Sequence, residues 1–518
     1  MLTSVAESAA RLTGSVMDSV SGLQLLGLLC IVYIVFSAAK LFYRRREQIN
    51  ALADFPGPKP HWLYGHAVEK EENLLNFIYE TSKQYRYACP LWSGPFMSSL
   101  FTTHPEYAKV VFGSSEPKDN VVYQWIVPWI GKGLLVLSGQ KWFQHRRMLT
   151  PAFHYDVLKP YVRVVADSVN IMLDKWEKHF TMNESLDIYP DVSLMSLDSI
   201  MKCAFSCNSN CQIKSDNPYI KAVYALTALT RFRVRCFPYH NSLIFHLSPH
   251  GFKFRKACSL AHAHTGKVIQ QRKEILKDEK ELEKIQQKRY LDFLDILLFA
   301  RDEDGKGLSD KDICAEVDTF MFEGHDTTSS GISWILYCMA MYPEHQTKCR
   351  EEIQEILAGR NTLEWSDLSK LTYTTMVIKE CLRLYPPVPG VGRVTTKRMT
   401  FPDGRSVPAG SRIGVSIYSI HRQPDIWEDP EVFDPLRFSP ERSANRHSYA
   451  FIPFAAGGRN CIGQQFAMNE MKVATALTLA RFELAPDLAK PPIKIPQLVL
   501  RSKNGIHLKL KVINTVKA

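Results

Sequence analysis

One cysteine near the C-terminus stands in a sequence that can activate its thiol. Cys461 closes a glycine-rich stretch that begins at Phe454 (Phe-Ala-Ala-Gly-Gly-Arg-Asn-Cys), and residues 464–481 have the pattern of a helix. A glycine-rich turn before a helix directs backbone N–H groups and the positive end of the helix dipole at the sulfur, and both lower the pKa of a thiol. Because the thiolate is the form that binds metal, the pattern predicts a single-thiolate metal ligand. The alternative is a small, buried and unreactive cysteine.

A second candidate site lies in a long predicted helix from about 309 to 342, in the sequence Glu323-Gly-His-Asp-Thr-Thr. A glycine followed by threonines is unfavourable in mid-helix, which points to function. Gly324 lets a large flat group approach the backbone and shares a helix face with Thr327. Asp326 and Thr327 place a carboxylate beside a hydroxyl, a pair that can relay protons. The alternative is an ordinary surface turn of helix.

Two further groups of charged and aromatic residues have spacings that suit specific contacts. Trp142 and Arg146 are four residues apart, so on a helix both can donate hydrogen bonds to one anion. Glu380 and Arg383 pair opposite charges at i, i+3, and Arg437 supplies a second arginine downstream. Taken alone, such charge pairs are weak signals, because they are common on protein surfaces.

Together these motifs resemble the cytochrome P450 superfamily, in order and over more than three hundred residues. The spacing Phe-x-x-Gly-x-Arg-x-Cys-x-Gly is that of its haem-binding loop, and the sequence from Gly324 to Thr328 is similar to its oxygen-activating helix motif. The resemblance implies haem b with its iron held by Cys461, and proton delivery to bound dioxygen by the catalytic pair Asp326 and Thr327. It also implies further haem contacts at Trp142, Arg146, Arg393, Arg459, Phe454 and Gly324. The charge pairs correspond to a buried structural network of Glu380, Arg383 and Arg437.

Glu323 departs from the commonest form of the helix motif, which has a small residue at this position. An ionised glutamate against an apolar haem face is costly to desolvate, and an ester with a haem methyl group removes the charge. Glutamate here is typical of the superfamily's fourth family, whose members commonly form this ester, and the chain is most similar to the B-like branch of that family. The resemblance implies a covalent ester at Glu323. The alternatives are that Glu323 is protonated or pairs with a basic group.

A membrane anchor precedes these motifs. Residues 23–42 are nearly continuously hydrophobic, and twenty helical residues at about 1.5 Å each span roughly 30 Å, which suffices for one crossing. Four basic residues at 40 and 44–46 follow directly. The positive-inside rule then places the rest of the chain in the cytosol, and the reversed flank disfavours a cleaved signal peptide. We predict an N-terminal segment 1–46 with the anchor helix, a basic, proline-rich hinge 47–60, and a haem-thiolate domain 61–518.

The pattern of the remaining chain is mainly helical. Amphipathic stretches lie around 140–180, 255–300, 310–345 and 464–481, and strand-like pieces such as Arg412–Ser419 are short and scattered. We therefore predict a mainly α fold with a small β-rich side, the cytochrome P450 fold, preceded by one N-terminal transmembrane helix.

The charge balance favours acidic partners. The net charge is +11, but the basic residues are dispersed and no aromatic-basic binding motif is present, which argues against nucleic acid. The sequence has no G-x-G-x-x-G or G-K-[ST] loop, so reducing equivalents come from another protein. The resemblance implies NADPH–cytochrome P450 reductase, with cytochrome b5 as a second candidate donor, and a location in the endoplasmic reticulum membrane. Twelve irregularly spaced cysteines agree with a reducing, cytosolic catalytic part.

The implied function is hydroxylation of fatty acids at the omega or a near-terminal carbon, and of small xenobiotics, with dioxygen and electrons from NADPH. Two alternatives are a haem-thiolate isomerase or dehydrase of lipid peroxides, and a non-catalytic haem sensor. The intact pair of Asp326 and Thr327 argues against both. Candidate walls of the substrate pocket, although aromatic runs are more often core, are Phe320, Trp125, Trp129, Val388 and Val391.

Overall fold

The computed structural model describes residues 2–119, 121–179, 184–213, 217–287, 291–301, 305 and 307–513; Met1 and residues 514–518 of the predicted domains lie outside this range. The described residues are mainly helical with small sheets, which confirms the predicted fold class. The helices are α1 (Leu2–Ala51), α2 (Leu74–Gln84), α3 (Pro105–Gly113), α4 (Val122–Ile130), α5 (Gly139–Leu149), α6 (Tyr155–His179), α7 (Tyr189–Phe205), α8 (Pro218–Arg235), α9 (Ser242–Leu247), α10 (Pro249–Ile275), α11 (Glu279–Gln286), α12 (Phe293–Phe299), α13 (Asp310–Met341), α14 (Pro343–Leu357), α15 (Thr372–Leu384), α16 (Ile417–Ile420), α17 (Pro440–Ser443) and α18 (Gln464–Arg481). The strands are β1 (Ala88–Trp92), β2 (Ser98–Thr102), β3 (Ser185–Asp187), β4 (Gly390–Val394), β5 (Met399–Thr400), β6 (Ser406–Val407), β7 (Arg412–Ser416), β8 (Phe482–Pro486), β9 (Lys494–Pro496), β10 (Leu500–Ser502) and β11 (His507–Val512).

Helix α13 is the centre of the fold. The Ser309 side chain accepts a hydrogen bond from the backbone N–H of Asp312 and so caps its first turn, and Pro343 begins the next helix directly after it. Most of its residues are buried, because it packs against α7, α10, α15 and α18. A helix buried on nearly every side can separate two compartments of the protein. The predicted limits of α13 and α18 are both confirmed to within a residue.

The β-rich side is built from one four-stranded sheet, one three-stranded sheet and two short ribbons. The larger sheet has the order β1-β2-β7-β4, in which β2 and β7 are parallel and the other pairs antiparallel. The three-stranded sheet has the order β3-β11-β8. The predicted strand Arg412–Ser419 was too long, since the strand ends at Ser416, whose side chain caps the short helix α16 by accepting from the N–H of Ser419.

Helix α1 is longer than the predicted anchor and continues into the predicted hinge. Residues 24–51 are long and apolar enough to cross a membrane, and the span is exposed. The end of α1 contacts the body, because Gln48 Oε1 accepts hydrogen bonds from Ser98 N (3.0 Å) and Oγ (2.7 Å) and Arg45 stacks over Trp92. The proline-rich residues after it are non-helical, as predicted, but Phe55 is buried, so this segment is docked on the body.

A carboxyl group lies in the core behind the cysteine loop. Glu470 of α18 is fully buried, and neither of its oxygens has a hydrogen-bond partner among the described residues. Burial raises the pKa of Glu470 to about 8, and the nearby hydroxyls of Ser196 and Ser199 lower it only in part. The side chain is therefore neutral in the folded protein at pH 7.

We expect Glu470 to make stability depend on pH. Its pKa is about 8 when folded and about 4.5 when unfolded, so between these values the folded state binds more protons and the free energy of unfolding falls as pH rises. Glu470→Gln should remove this fall, a difference of roughly 3–5 kcal/mol at pH 8.5. Denaturant unfolding from pH 5 to 8.5 measures it. The exposed Glu355→Gln is the control, and parallel wild-type and Glu470→Gln pH profiles would refute the assignment.

Candidate functional site

The cysteine loop has a backbone shape that its glycines make possible. Gly457 has φ +72°, and a Cβ added to it would lie 1.9 Å from the carbonyl oxygen of Phe112 at the end of α3. The N–H of Cys461 donates to the carbonyl oxygen of Phe454 at 2.9 Å, which closes the loop, and α18 begins three residues after the cysteine. The predicted contact of Phe454 with haem stays a prediction.

The thiol lines an internal cavity. A water-sized probe reaches the Cys461 side chain, although protein surrounds it closely enough for burial to dominate its titration. From these two facts we infer that the open space beside the sulfur lies inside the protein. In the middle of the otherwise buried α13, Glu323 and Thr327 are half-buried, one turn apart, and so mark the face that borders this space.

The sequence predicted a lowered pKa for the Cys461 thiol, and this prediction is wrong. Burial raises the pKa of Cys461 to about 11, and the Glu323 carboxylate raises it further. The N–H of Gly463, Arg146 and Lys118 act in the predicted direction, but they do not outweigh desolvation. A bound metal cation is the charge that converts such a thiol to thiolate.

A cluster of cations borders the same cavity. Arg146 donates to the carbonyl oxygen (2.8 Å) and side-chain oxygen (3.0 Å) of Asn460, while Arg459 lies 4.7 Å over the Trp142 ring and donates to a backbone carbonyl. Burial and repulsion from Arg393 lower the pKa of Arg459 to about 10, and its Nε has no hydrogen-bond partner in the described part of the chain. An uncompensated buried cluster of this kind is suited to a ligand with carboxylates, such as the two propionates of haem.

Several of the predicted haem contacts also make contacts within the protein. The Trp142 ring lies under the Arg459 guanidinium and Arg146 donates to Asn460 of the cysteine loop, while the sharing of one anion by Trp142 and Arg146 stays a prediction. Gly324 packs closely against α7, since a Cβ added to it would lie 2.9 Å from the side chain of Ile200, and its predicted contact with a flat ring stays a prediction.

Lys118 is a cavity residue that the sequence analysis missed. Burial lowers its pKa to about 7, with repulsion from Arg393 and Arg459, while Glu323 and Cys461 act in the opposite direction. It pairs with Arg393 in an isolated β-bridge, which brings it to the cavity from a loop without a recognisable motif. Only the tertiary structure reveals it.

Glu323 has an environment that favours its neutral form. Burial raises the pKa of Glu323 to about 7, Lys118 lowers it, and Glu316 raises it. Both alternatives from the sequence therefore keep support, because the acid is partly protonated near neutrality and a basic side chain lies within electrostatic range.

The Asp326 and Thr327 pair is present, with a partner that the sequence did not indicate. Arg501 of β10, 175 residues away, donates to Asp326 Oδ1 at 2.5 Å, and both side chains are buried. Asp326 Oδ2 has no partner among the described residues. The Thr327 hydroxyl donates to the carbonyl oxygen of Glu323 at 2.7 Å, which leaves its lone pairs free to accept.

The network of Glu380, Arg383 and Arg437 is assembled and buried. Glu380 and Arg383 form two hydrogen bonds of 2.7 and 2.8 Å with neither side chain exposed, and Arg437 Nε approaches Glu380 at 3.6 Å. Arg383 also donates to the carbonyl oxygen of His421, whose Nε2 accepts from the N–H of Ile452 at 2.9 Å. Since Ile452 is two residues before Phe454, the network ends at the cysteine loop. His421 was missed by the sequence analysis.

The predicted pocket walls are distributed over core and boundary positions. Trp129 packs on Phe322 at 4.4 Å, Trp125 lies under the guanidinium of Arg233 at 4.6 Å, and Phe320 lies 4.2 Å from Phe293. These three aromatic residues are buried, whereas Val388 and Val391 are half-buried. Their part in binding a substrate stays a prediction.

Comparisons with known proteins agree with this arrangement. The family model described as Cytochrome P450 matches residues 55–510. Cytochrome P450 4B1 of Rattus norvegicus is 57% identical over 482 residues, 93% of this chain and 94% of that protein. Cytochrome P450 4B1 of Homo sapiens is 56% identical over 91% of this chain and 92% of that protein, and cytochrome P450 4A24 of Sus scrofa is 54% identical over 96% and 99%.

We expect Gly457→Ala to abolish cofactor binding. The backbone at residue 457 has a positive φ, which alanine rarely adopts, and the added Cβ would lie within bonding distance of a backbone oxygen. The cysteine loop must therefore move. Haem absorbance per mole of purified protein measures the effect, with a loss of at least about tenfold expected. Gly458→Ala is the matched control, because a Cβ there meets no atom within 4 Å. Full haem content in Gly457→Ala would contradict the assignment.

We expect Glu380→Gln to destabilise the fold strongly. It leaves the buried Arg383 guanidinium without its counter-charge, which costs about 3–5 kcal/mol. Glu80→Gln is the control, since Glu80 and Lys83 have the same i, i+3 spacing on the surface and contribute about 0–1 kcal/mol. Thermal unfolding compares the two variants, and equal effects would show that the pair does not support the core.

Proposed function

Because the chain belongs to the cytochrome P450 family, and is a haem-thiolate monooxygenase of its fourth family, we propose that it hydroxylates fatty acids at or near the terminal carbon, with small xenobiotics as further substrates. The observation that carries this proposal is Glu323, which borders the cofactor cavity opposite Cys461 and titrates near neutrality. A carboxyl group fixed there makes the cofactor side of the pocket stiff and narrow.

The residues around the cavity fit haem b. Cys461 would hold the haem iron through its thiolate, and the cationic cluster of Arg146, Arg393, Arg459 and Lys118 would balance the charge of the two propionates. When bound, the haem supplies iron that activates dioxygen, and the thiolate ligand favours O–O cleavage. The unpartnered Nε of Arg459 is the atom most in need of such an acceptor.

The chain's own part in the chemistry is to hold and move protons. Incorporation of one oxygen atom into a C–H bond and reduction of the other to water consumes two electrons and two protons. Asp326 is held through Oδ1 by Arg501, so its free Oδ2 takes up a proton while the carboxylate stays in place. Thr327 directs its hydroxyl oxygen from the cavity face of α13, where it passes protons to the substrate side.

Glu323 joins haem covalently in this proposal. Its partly neutral carboxyl group is poorly stabilised as an anion, and an ester would remove the remaining charge. One carboxyl oxygen would bond to a haem methyl carbon in place of a hydrogen, and the proton and two electrons that leave this carbon would pass to dioxygen, the oxidant of the proposed reaction. Lys118 is the basic group that competes for Glu323 as an ion-pair partner.

We expect Glu323→Ala to remove the covalent link to haem and to lower the selectivity for the terminal carbon. Mass spectrometry of the denatured wild type should find haem bound to the peptide that contains residue 323, and the variant should lose all of it. Without the ester the pocket is less stiff, so products should shift from the terminal carbon toward inner carbons by about twofold or more. Fully extractable haem in the wild type would refute the ester, and an unchanged product ratio would refute its role in selectivity.

The membrane and electron donors complete the assignment. Helix α1 provides the single-pass anchor, and the basic residues that follow its apolar span support a catalytic part on the cytosolic side of the endoplasmic reticulum membrane. Electrons come from NADPH through a flavoprotein reductase, with cytochrome b5 as a second donor, and the net charge of +11 favours acidic docking faces.

The decisive assay combines the full chain with reductase, NADPH and lauric acid, followed by chromatography of the products. Hydroxylated lauric acid at or next to the terminal carbon is the expected result. Activity on a lipid hydroperoxide without reductase, and none with it, would identify a peroxide isomerase or dehydrase instead. Haem binding without any turnover would identify a sensor.

A further inference from the structure

Three aromatic side chains form a contiguous stack on the side of α13 away from the cofactor cavity. The His264 ring of α10 stacks on the Tyr219 ring of α8 at 4.7 Å, and Tyr219 lies 5.7 Å from the ring of His325 of α13. His325 is fully buried, Tyr219 is nearly so, and His264 is half-buried. The stack therefore runs from the surface of the protein to the centre of α13.

Each ring carries a polar atom without a partner. His264 Nε2, Tyr219 Oη and His325 Nε2 make no hydrogen bond to any described residue, and the same is true of Asp326 Oδ2, on the residue after His325. Leaving one such buried group unsatisfied costs about 1–3 kcal/mol, so four in one place are unusual. The His325 Nδ1 is 3.2 Å from the carbonyl oxygen of Met321 and donates to it, which leaves Nε2 as the acceptor.

Burial, together with the charges around the stack, keeps both imidazoles neutral. Burial lowers the pKa of His264 to about 4, helped by His325 and by Lys267 of α10. Burial also lowers the pKa of His325; Asp326 acts against this effect, and Arg501 of β10 reinforces it. Tyr219 is near Asp318 and Asp326, and burial raises its pKa well above the usual range. The two imidazoles and the phenol are therefore uncharged at pH 7, and each can accept a proton and release one without remaining charged.

The position of the stack separates proton supply from the substrate. His325 is two residues from both Glu323 and Thr327, a rotation of about 200° around the helix, so it faces away from the cavity that they border. A proton that arrives at this side of α13 does not cross the apolar space in which a substrate sits.

We propose that His264, Tyr219 and His325 form a proton path from the surface beside α10 to Asp326, with ordered water between their polar atoms. Ordered water carries a proton from the surface beside the half-buried His264 ring to its buried Nε2, and His264 releases it to Tyr219, whose hydroxyl accepts one proton and donates its own. His325 Nε2 accepts that proton, is stabilised as imidazolium by Asp326, and releases it to Asp326 Oδ2. One proton enters and one leaves at each step, and every group returns to its starting form. The path rests on the proposed proton-relay role of Asp326.

The test uses the full chain with bound haem, reductase, NADPH and lauric acid. Tyr219→Phe removes only the unpartnered hydroxyl, and His264→Phe keeps the ring stack but removes its nitrogens. Each should lower hydroxylated product per NADPH by at least about threefold and increase the solvent deuterium isotope effect on turnover. The double variant should be no worse than either single variant, because both interrupt one path. Tyr161→Phe, at a half-buried tyrosine of α6 that packs against Phe466, is the control for loss of a hydroxyl.

Two results would overturn the proton path. Tyr219→Phe with the wild-type product yield and isotope effect would exclude Tyr219 as a relay, and additive losses in the double variant would place the two residues on separate routes. If the wild type makes no hydroxylated lauric acid, the proposed substrate class fails instead. The path is then tested by the isotope effect on NADPH oxidation alone, which Tyr219→Phe must still change.

Discussion

The rest of the site depends on the free-energy cost of ionising a thiol inside the protein. Burial and the facing Glu323 both raise the pKa of Cys461 to a value at which the thiol is protonated at pH 7. Lys118, Arg146 and Arg459 supply positive charge around the cavity, although burial lowers the pKa of each of them. Neighbouring buried cations of this kind are suited to the anionic propionates of haem.

The loop that holds the thiol is fixed from two sides. Gly457 packs against the backbone of α3, and the chain of contacts from Glu380 through Arg383 and His421 reaches Ile452 just before the loop. The buried ion pair serves position more than stability, because Arg383 also donates to three backbone carbonyl oxygens, including that of His421, and so fixes the direction in which the loop leaves the core. A site of this kind tolerates little displacement of its ligand.

One face of helix α13 borders the cofactor cavity, and the opposite face carries the proposed proton path. Its half-buried face carries Glu323 and Thr327, while the opposite face carries His325 and packs against α8 and α10. Asp326 lies between the two, held by Arg501 through one oxygen and free at the other. An apolar substrate pocket excludes water, so an enzyme that must also import protons benefits from bringing them through a different face of the same helix.

The sequence by itself determined the family, the order of the elements and the residue types at the thiol, because motifs such as the Cys461 loop and the Glu323–Thr328 segment depend on local backbone geometry that only a few residues permit. It also predicted the limits of α13 and α18, whose caps and breakers are adjacent in the chain. The tertiary structure decided the rest. It set the direction of the thiol's pKa, the use of Gly324 for packing against Ile200, and the recruitment of Lys118, His421 and Arg501 from segments without a motif. Burial and electrostatic pairing act through space between residues far apart in sequence, and local pattern carries no information about them.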